Sequence, residues 1–330
     1  MQEYRHSRAQ PTRRQFMAAA GATLALSGCS QPPAKWAPVS IYRAAEYSEN
    51  LYDLIRRLIA EHKLDVRGKR VVLKPNMVEF DERTVINTNP KLVHAALEGF
   101  RAAGAADVRI AEGPGHRRLT LDLADAAGYF STIPGFESAF TDLNLDELTL
   151  VQMVRPQSKL RSLYLPNTIL NCDLLVSLPK LKVHHWAGAT LSMKNLFGLV
   201  PGGVYGWPKN VLHWAGINET IADLHTLFPR AFSIVDGIVG MEGNGPIQGT
   251  PHPTGVVVAG ADPVAVDATC CRIMGLDPQR IGYLQLAAGR ERLTEDLVPQ
   301  IGEPLHSVAT RFAVLPELER LRLSDGESKS

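Results

Sequence analysis

Cysteine is scarce. The 330 residues hold four, at Cys29, Cys172, Cys270 and Cys271. No pair has C-x-x-C spacing, which excludes a thioredoxin-like site, a zinc ribbon and a ferredoxin-type iron–sulfur cluster. The adjacent Cys270 and Cys271 would point to different sides of a helix and read as small buried hydrophobes. An excess of one charge is also missing. Lys and Arg number 35 against 34 Asp and Glu, a net charge of +1. A nucleic-acid partner is therefore not expected, and any basic site is local. No G-x-S-x-G is present, which removes a serine-hydrolase elbow, and no G-K-[ST] follows a glycine-rich turn, which removes a P-loop. What is there is 45% hydrophobic residues with 21% charged, enough for a packed core. The length suits one large α/β domain or two intimately joined ones.

The first residues read as an address. "PTRRQFMAAAGATLALSGCSQPP" carries twin arginines, Arg13 and Arg14, then a short apolar run from Phe16 to Leu26. That run is too short to cross a bilayer, which takes ~20 apolar residues. The segment resembles a twin-arginine export signal. "LSGC", Leu26 to Cys29, resembles a lipobox, with Cys29 as the lipidated residue. The expectation is an exported protein of the periplasm or cell envelope, carried by the twin-arginine machinery and held to the membrane through a lipid anchor only. That route carries folded proteins, often with a cofactor already inserted.

The body alternates helical and strand patterns. "ENLYDLIRRLIAEHK" repeats Leu51, Leu54, Ile55, Leu58 and Ile59 at helical spacing. "RVVLKPN" is a β-rich run. "NPKLVHAALEGFRAAGA" is a second helix, capped by Asn89, begun by Pro90 and ended by Gly104. "DVRIAEGPG" is a strand entering a glycine loop, and "LTLDLADAAGY" a third helix. "LTLVQM" and "LRSLYLP" read as a hairpin in the sheet, and "DLLVSLP" as a buried strand. "NVLHWAGINETIADLHTLF" is a helix, "AFSIVDGIVG" and "TGVVVAGADP" are strands, and Asp262 caps a helix over "PVAVDATCCRIMGL". This order predicts an α/β fold: a mainly parallel, mixed sheet with helices on both faces and irregular Gly-rich insertions.

Polar residues gather at predicted strand ends, where open α/β sheets bind ligands. Lys74 and Asn76 follow "VVL", and Glu112 with the "GPGH" loop follows "DVRI". Lys180, Lys182 and His184 follow "LLVSLP", Asp236 follows "FSIV", and Asp262 follows "VVVAGA". In an extended segment Lys180, Lys182 and His184 share one face. Such groups repel unless an anion, a carboxylate or water separates them. With Lys194 they predict an anion-binding floor for a phosphate or carboxylate. Lysine in place of arginine suits point charges, or a base whose pKa burial can tune. Neighbouring His184 and His185 on a strand would face opposite ways, so one of them with Asp236, Asp267 or Glu242 is the arrangement open to a metal. Asp267 lies mid-helix with no cation three or four residues away, and a buried carboxylate there needs a distant cation or donor. "GIVGMEGNGPIQGTPHP", with Glu242 and Asn244, reads as a lid whose amides can cradle an oxyanion.

Six segments, "VVLKPNMV", "TNPKLVHAAL", "AEGPG", "LPKLKVHHWAGATLSMKNLFG", "SIVDGIVGMEGNGP" and "GADPVAVDATCCRIMGLDP", together resemble the bacterial and archaeal family called domain of unknown function 362. The match runs from Val71 to Pro278. The resemblance implies that the characteristic polar positions are Lys74, Asn76, Lys182, His184, Lys194, Asn195, Asp236, Glu242, Asn244, Asp262 and Asp267. Some members carry a ferredoxin module whose cysteines are missing here, so no iron–sulfur cluster is expected. The expected division is a signal over 1–29, a tether over 30–40, the α/β domain over 41–315 and a polar tail over 316–330.

The expected activity is an enzyme acting on a small anionic ligand in a Lys/His/Asp crevice, an isomerase, lyase or hydrolase. Lys182, Lys194, His184 and Asp267 would carry the chemistry. Lys74, Asn76, Asn195, Glu242 and Asn244 would hold the substrate, and Asp236 and Asp262 a possible divalent metal. The alternatives are a non-catalytic envelope protein that binds an anion or metal, and a redox accessory protein without its own cluster.

Overall fold

The computed structural model describes residues 34–116 and 119–324. The twin arginines, the lipobox and Cys29, the first four residues of the tether and the last six residues lie outside the described residues. From Lys35 onward the chain forms one compact unit.

Eight strands form the spine of the main sheet. In spatial order they are β12 (Gln300–Gly302), β1 (Val39–Arg43), β11 (Thr250–Gly260), β10 (Phe232–Glu242), β7 (Leu174–Leu178), β2 (Arg70–Pro75), β3 (Asp107–Glu112) and β4 (Phe140–Asp142). β10, β7, β2, β3 and β4 run parallel, while β11 is antiparallel to both β10 and β1. Two further strands extend the β10 side. β8 (Lys180–His184) pairs parallel with β10, and β9 (Gly188–Thr190) folds back antiparallel on β8. The mixed, mainly parallel sheet is the expected one.

Alternation along each strand divides the core between the two faces. In β2, Val71 and Leu73 pack on one side and Val72 on the other. The first side carries helices Asn50–Glu61 and Pro90–Ala102, which bury Leu51, Ile55, Leu58, Leu92, Ala96 and Leu97 among others. Each such aliphatic side chain contributes about 1.5–3 kcal/mol on burial. The two helices approach closely at Gly99, where a Cβ would sit 2.6 Å from Ile55 Cγ2. The opposite side carries helices Ile217–Leu227, Pro263–Ile273 and Gly282–Ala288. Helices therefore cover both faces.

Several elements differ from the expected ones. β5 (Leu148–Gln152) and β6 (Ser162–Pro166) do form a hairpin, but as a separate two-stranded sheet. The helix expected over 210–228 is two, Asn210–Trp214 and Ile217–Leu227, because Gly216 between them takes φ +110°, outside the helical region. β1 begins at Val39, inside the expected tether. The expected polar tail begins with a packed turn, Pro316–Leu321, which buries Leu318 and Leu321. Most of the glycine-rich 237–253 stretch belongs to the long β10–β11 hairpin, leaving only its tip as loop. Gly240 is needed there because a Cβ would meet the Leu181 carbonyl oxygen at 2.8 Å.

Candidate functional site

β2, β3 and β7 run parallel, so their carboxyl ends lie together. There the chain encloses a cavity of about 380 Å³. Its walls include Lys74 and Asn76 from the end of β2, Glu112 from the end of β3, and Lys182 and His184 from β8. Thr190 ends β9, Lys194, Asn195 and Phe197 come from the segment after it, and Lys209 and His213 from the turn and helix at 209–214. The tip of the β10–β11 hairpin adds Asn244, Pro246, Ile247 and Gln248. Four lysines thus face one carboxylate.

That carboxylate is spent on structure. Glu112 Oε2 accepts from Lys74 Nζ at 2.7 Å and from the Met77 amide, and Oε1 accepts from the Gly113 amide. Lys74 Nζ also donates to Pro75 O at 2.8 Å and Asn195 Oδ1 at 3.0 Å, which uses all three of its protons. Asn195 is saturated in turn: Nδ2 donates to Lys74 O and Ser177 Oγ, and Oδ1 accepts from Lys74 and Asn76. Gly198 closes over this knot, because a Cβ there would lie 2.0 Å from Glu112 Oε1. Lys74 and Asn195 therefore line the cavity with no hydrogen-bonding capacity left for a ligand.

The remaining lysines have no carboxylate of their own. Lys182 Nζ donates to Ile86 O and Pro246 O, and Lys209 Nζ to Gly113 O and Phe197 O. Lys194 Nζ lies 3.7 Å from the centre of the Phe197 ring and, among the described residues, has no hydrogen-bond acceptor. Burial pushes the Lys182 ammonium well below its ordinary range, helped by Lys180 and Lys194. Burial, then the Lys74 charge, lowers Lys194 to about 7. Burial also draws Lys209 down to about 7 against the attraction of Glu112.

His184 is fixed by the turn that ends β8. Its Nδ1 accepts from the amides of Trp186 at 3.1 Å and Ala187 at 3.2 Å. Burial and the nearby lysines push its pKa well below 6.5. The ring is consequently neutral with its proton on Nε2, a hydrogen-bond donor rather than a base. His185 does not point away as a continuous strand would require; the strand stops at His184, and the two rings stack with centroids 5.0 Å apart. His213 stands against Phe197 and Trp186, and burial with the Lys194 charge lowers it to about 4. Two buried polar atoms on the wall, Asn76 Oδ1 and Thr190 Oγ1, have no hydrogen-bond partner.

The expected acids lie elsewhere. Asp236 accepts from Lys180 Nζ at 2.8 Å, Tyr47 Oη at 2.8 Å and the Asn89 amide at 2.8 Å, in a knot that also takes Lys180 out of the expected anion floor. Asp267 finds no lysine. It accepts from the amides of Ser192 at 2.8 Å and Met193 at 3.0 Å, and burial pushes it up to about 7 against those bonds. Its carboxylate thereby anchors the segment that carries Lys194 and Asn195. Asp262 caps helix Pro263–Ile273 through the Val264 and Ala265 amides. Glu242 pairs with His252 at 2.9 Å and takes the Ala313 amide. Asp236 thus has both oxygens engaged, and Asp262 uses Oδ1 for its cap. Among the described residues, no three His, Cys, Asp or Glu side chains are grouped to hold a metal ion.

Lys209 and His213 escaped the sequence reading. Lys209 precedes the helix with φ +64°, so helical spacing to His213 did not announce it.

The fold and cavity define an α/β protein with a small-molecule-sized, lysine-rich pocket at the carboxyl ends of parallel strands. The chain belongs to the domain of unknown function family DUF362, whose model matches residues 71–272. It is 29% identical over 262 residues to a thylakoid-associated protein of Synechocystis sp., covering 76% of each chain. Among solved structures it is similar to the lactate racemase apoprotein from Thermoanaerobacterium thermosaccharolyticum, with TM-score 0.46 and 14% identity over 73% of this chain. A Thermotoga maritima protein gives TM-score 0.37 and 13% identity over 62% of this chain. The chain spans little more than half of those two structures, 57% and 53% of their lengths. Among the described residues no helix is long and apolar enough to cross a membrane.

Proposed function

We propose that this protein is an enzyme acting on a small anionic substrate, a carboxylate or a phosphate, in the cavity at the carboxyl ends of β2, β3 and β8. The observation that carries the reading is the charge imbalance: four buried lysines around one carboxylate, itself consumed by Lys74. Buried ammonium groups without counter-ions cost several kcal/mol each, roughly. An entering anion relieves that cost. Lys182 and Lys209 supply the charge, and His184 Nε2–H donates to an oxygen of the substrate. Lys194 is the group that moves a proton: it titrates near 7, as Lys209 does, but Lys209 Nζ is held by two carbonyl oxygens. An isomerase or a lyase suits a single proton-transfer group best.

Export by the twin-arginine route and lipidation at Cys29 belong to the same proposal. The thylakoid association of the Synechocystis relative agrees with life at a membrane. A protein that only captures the anion would use the same lysines, and the neutral, fixed His184 suits capture as well as catalysis. Turnover separates the two. Purified full chain is incubated in heavy water with pooled carboxylate and phosphate metabolites, and solvent deuterium entering any of them is followed by mass spectrometry. Exchange that Lys194→Met abolishes supports the enzyme. Binding without any chemical change leaves the capture protein and removes the enzyme.

A further inference from the structure

The cavity lysines differ in one respect that bears on substrate class. Lys74 gives its protons to Pro75 O, Glu112 and Asn195. Burial lowers Lys182 and Lys209 as it lowers Lys194, but each of those two has its nitrogen held by two carbonyl oxygens. Lys194 alone among the four donates to nothing. Its Nζ is held over the Phe197 ring in a site 9% exposed, and its side chain lines the cavity. The ring face favours the ammonium. No carboxylate or carbonyl adds to that, and burial draws the group down to about 7.

The unpartnered hydroxyl of Thr190 and the imidazole of His184, with its proton on Nε2, line the same cavity. A desolvated amine with a free lone pair beside a neutral hydrogen-bond donor is the arrangement that adds to a carbonyl carbon.

We propose that Lys194 is a carbonyl-reactive nucleophile and that the substrate class is an aldehyde or keto acid, held by its anionic group at Lys182 and Lys209. This rests on the anion-binding reading and narrows it. The Lys194 nitrogen bonds to the carbonyl carbon, and the carbonyl π pair becomes an oxygen lone pair. One N–H proton passes to that oxygen, giving a carbinolamine. Protonation of the hydroxyl and loss of water leave a protonated imine. The balance is carbonyl plus amine plus one proton giving iminium plus water, with no oxidant or reductant. His184 Nε2–H hydrogen-bonds the oxygen as it gains charge and leaves, and the free Thr190 Oγ1 in the same cavity accepts from the carbinolamine.

The test traps the imine. Full chain is treated at pH 7 with pyruvate, glyoxylate or pyridoxal phosphate and sodium borohydride, which delivers hydride to the imine carbon and fixes a secondary amine. Peptide mapping then locates the adduct. At pH 7 a lysine titrating near 7 holds roughly a thousandfold more free amine than an exposed one near 10.4; Lys209 shares that advantage, but its nitrogen is held by Gly113 O and Phe197 O. Lys194 should be modified first, with a labelling rate that levels off just above neutral pH. Lys194→Arg should lose that adduct, while Lys159→Arg, at an exposed lysine outside the cavity, keeps it. Thermal melting confirms that each variant folds, and mapping of the unsubstituted chain needs no variant. Adducts spread over exposed lysines with no preference for Lys194 would overturn the proposal. So would a Lys194 adduct whose rate keeps climbing towards pH 10. Phosphate and acetate, which have no carbonyl, are titrated in parallel. If they bind and no imine is trapped, only this inference falls; if neither occurs, the anion reading falls with it.

Discussion

Glu112→Gln is the substitution whose cost the structure defines most sharply. Lys74 and Glu112 meet at 2.7 Å with both side chains at most 1% exposed. The glutamine has the same shape but no charge, so Lys74 keeps two neutral acceptors and loses its counter-ion. One amide hydrogen of the new side chain also confronts an N–H, whether of Met77 or Gly113, that now donates to the carboxylate. Removing one partner of a buried pair costs about 3–5 kcal/mol. At roughly 2 °C per kcal/mol for a chain of this size, the melting temperature falls by ~6–10 °C. Urea unfolding followed by tryptophan fluorescence measures the loss directly. The paired change Lys74→Met with Glu112→Leu removes both charges and should recover much of it, because the desolvation cost disappears with the attraction. A Glu112→Gln chain within ~1 kcal/mol of the original would refute the claim that this pair is dry and fixed.

Other consequences follow from the same geometry. Gly198→Ala should destabilise by several kcal/mol, roughly, as an overpacked core does, because the new methyl would sit 2.4 Å from Lys74 Nζ; the urea midpoint reads it. Thr190→Val removes a hydroxyl that has no partner, so stability should hold or rise by ~1–3 kcal/mol while ligand affinity falls; melting and calorimetry together check this. Lys194 has a folded pKa of about 7, below its unfolded value near 10.4, so between those limits the unfolded chain binds more protons. Stability from this group is full above the unfolded pKa and is lost as pH falls towards 7. Lys194→Met should therefore flatten the rise in stability between pH 7 and 10, measured by urea unfolding at each pH.

Much of the scaffold was legible in local pattern. Asn89 and Asp262 cap the helices that their positions before Pro90 and Pro263 announce, because a cap is decided within a few residues. The alternation of β2 and the spacing of Leu51, Ile55 and Leu58 are equally local. Which charged groups meet is not. Lys180 and Lys182 share a strand and a pattern, yet Lys180 is claimed by Asp236, 56 residues away, and Lys182 by two carbonyls. Asp267 was expected near a cation or donor and found two amides of a segment 74 and 75 residues earlier. Sequence shows that a buried carboxylate needs donors. It does not show that a helix start will supply them. Nor does it show that Lys74 and Asn195 have exhausted their hydrogen bonds on each other.

The central claim is that the lysine-lined cavity binds a small anion. Isothermal titration of phosphate, acetate and larger carboxylates into the full chain, repeated with Lys182→Met, tests it most directly. The account predicts saturable binding with one site per chain, weakened at least about tenfold by Lys182→Met, the loss of one charge-assisted contact. Affinity should also fall as pH rises through 7. No saturable heat from any of these anions, or binding that Lys182→Met leaves unchanged, would contradict it.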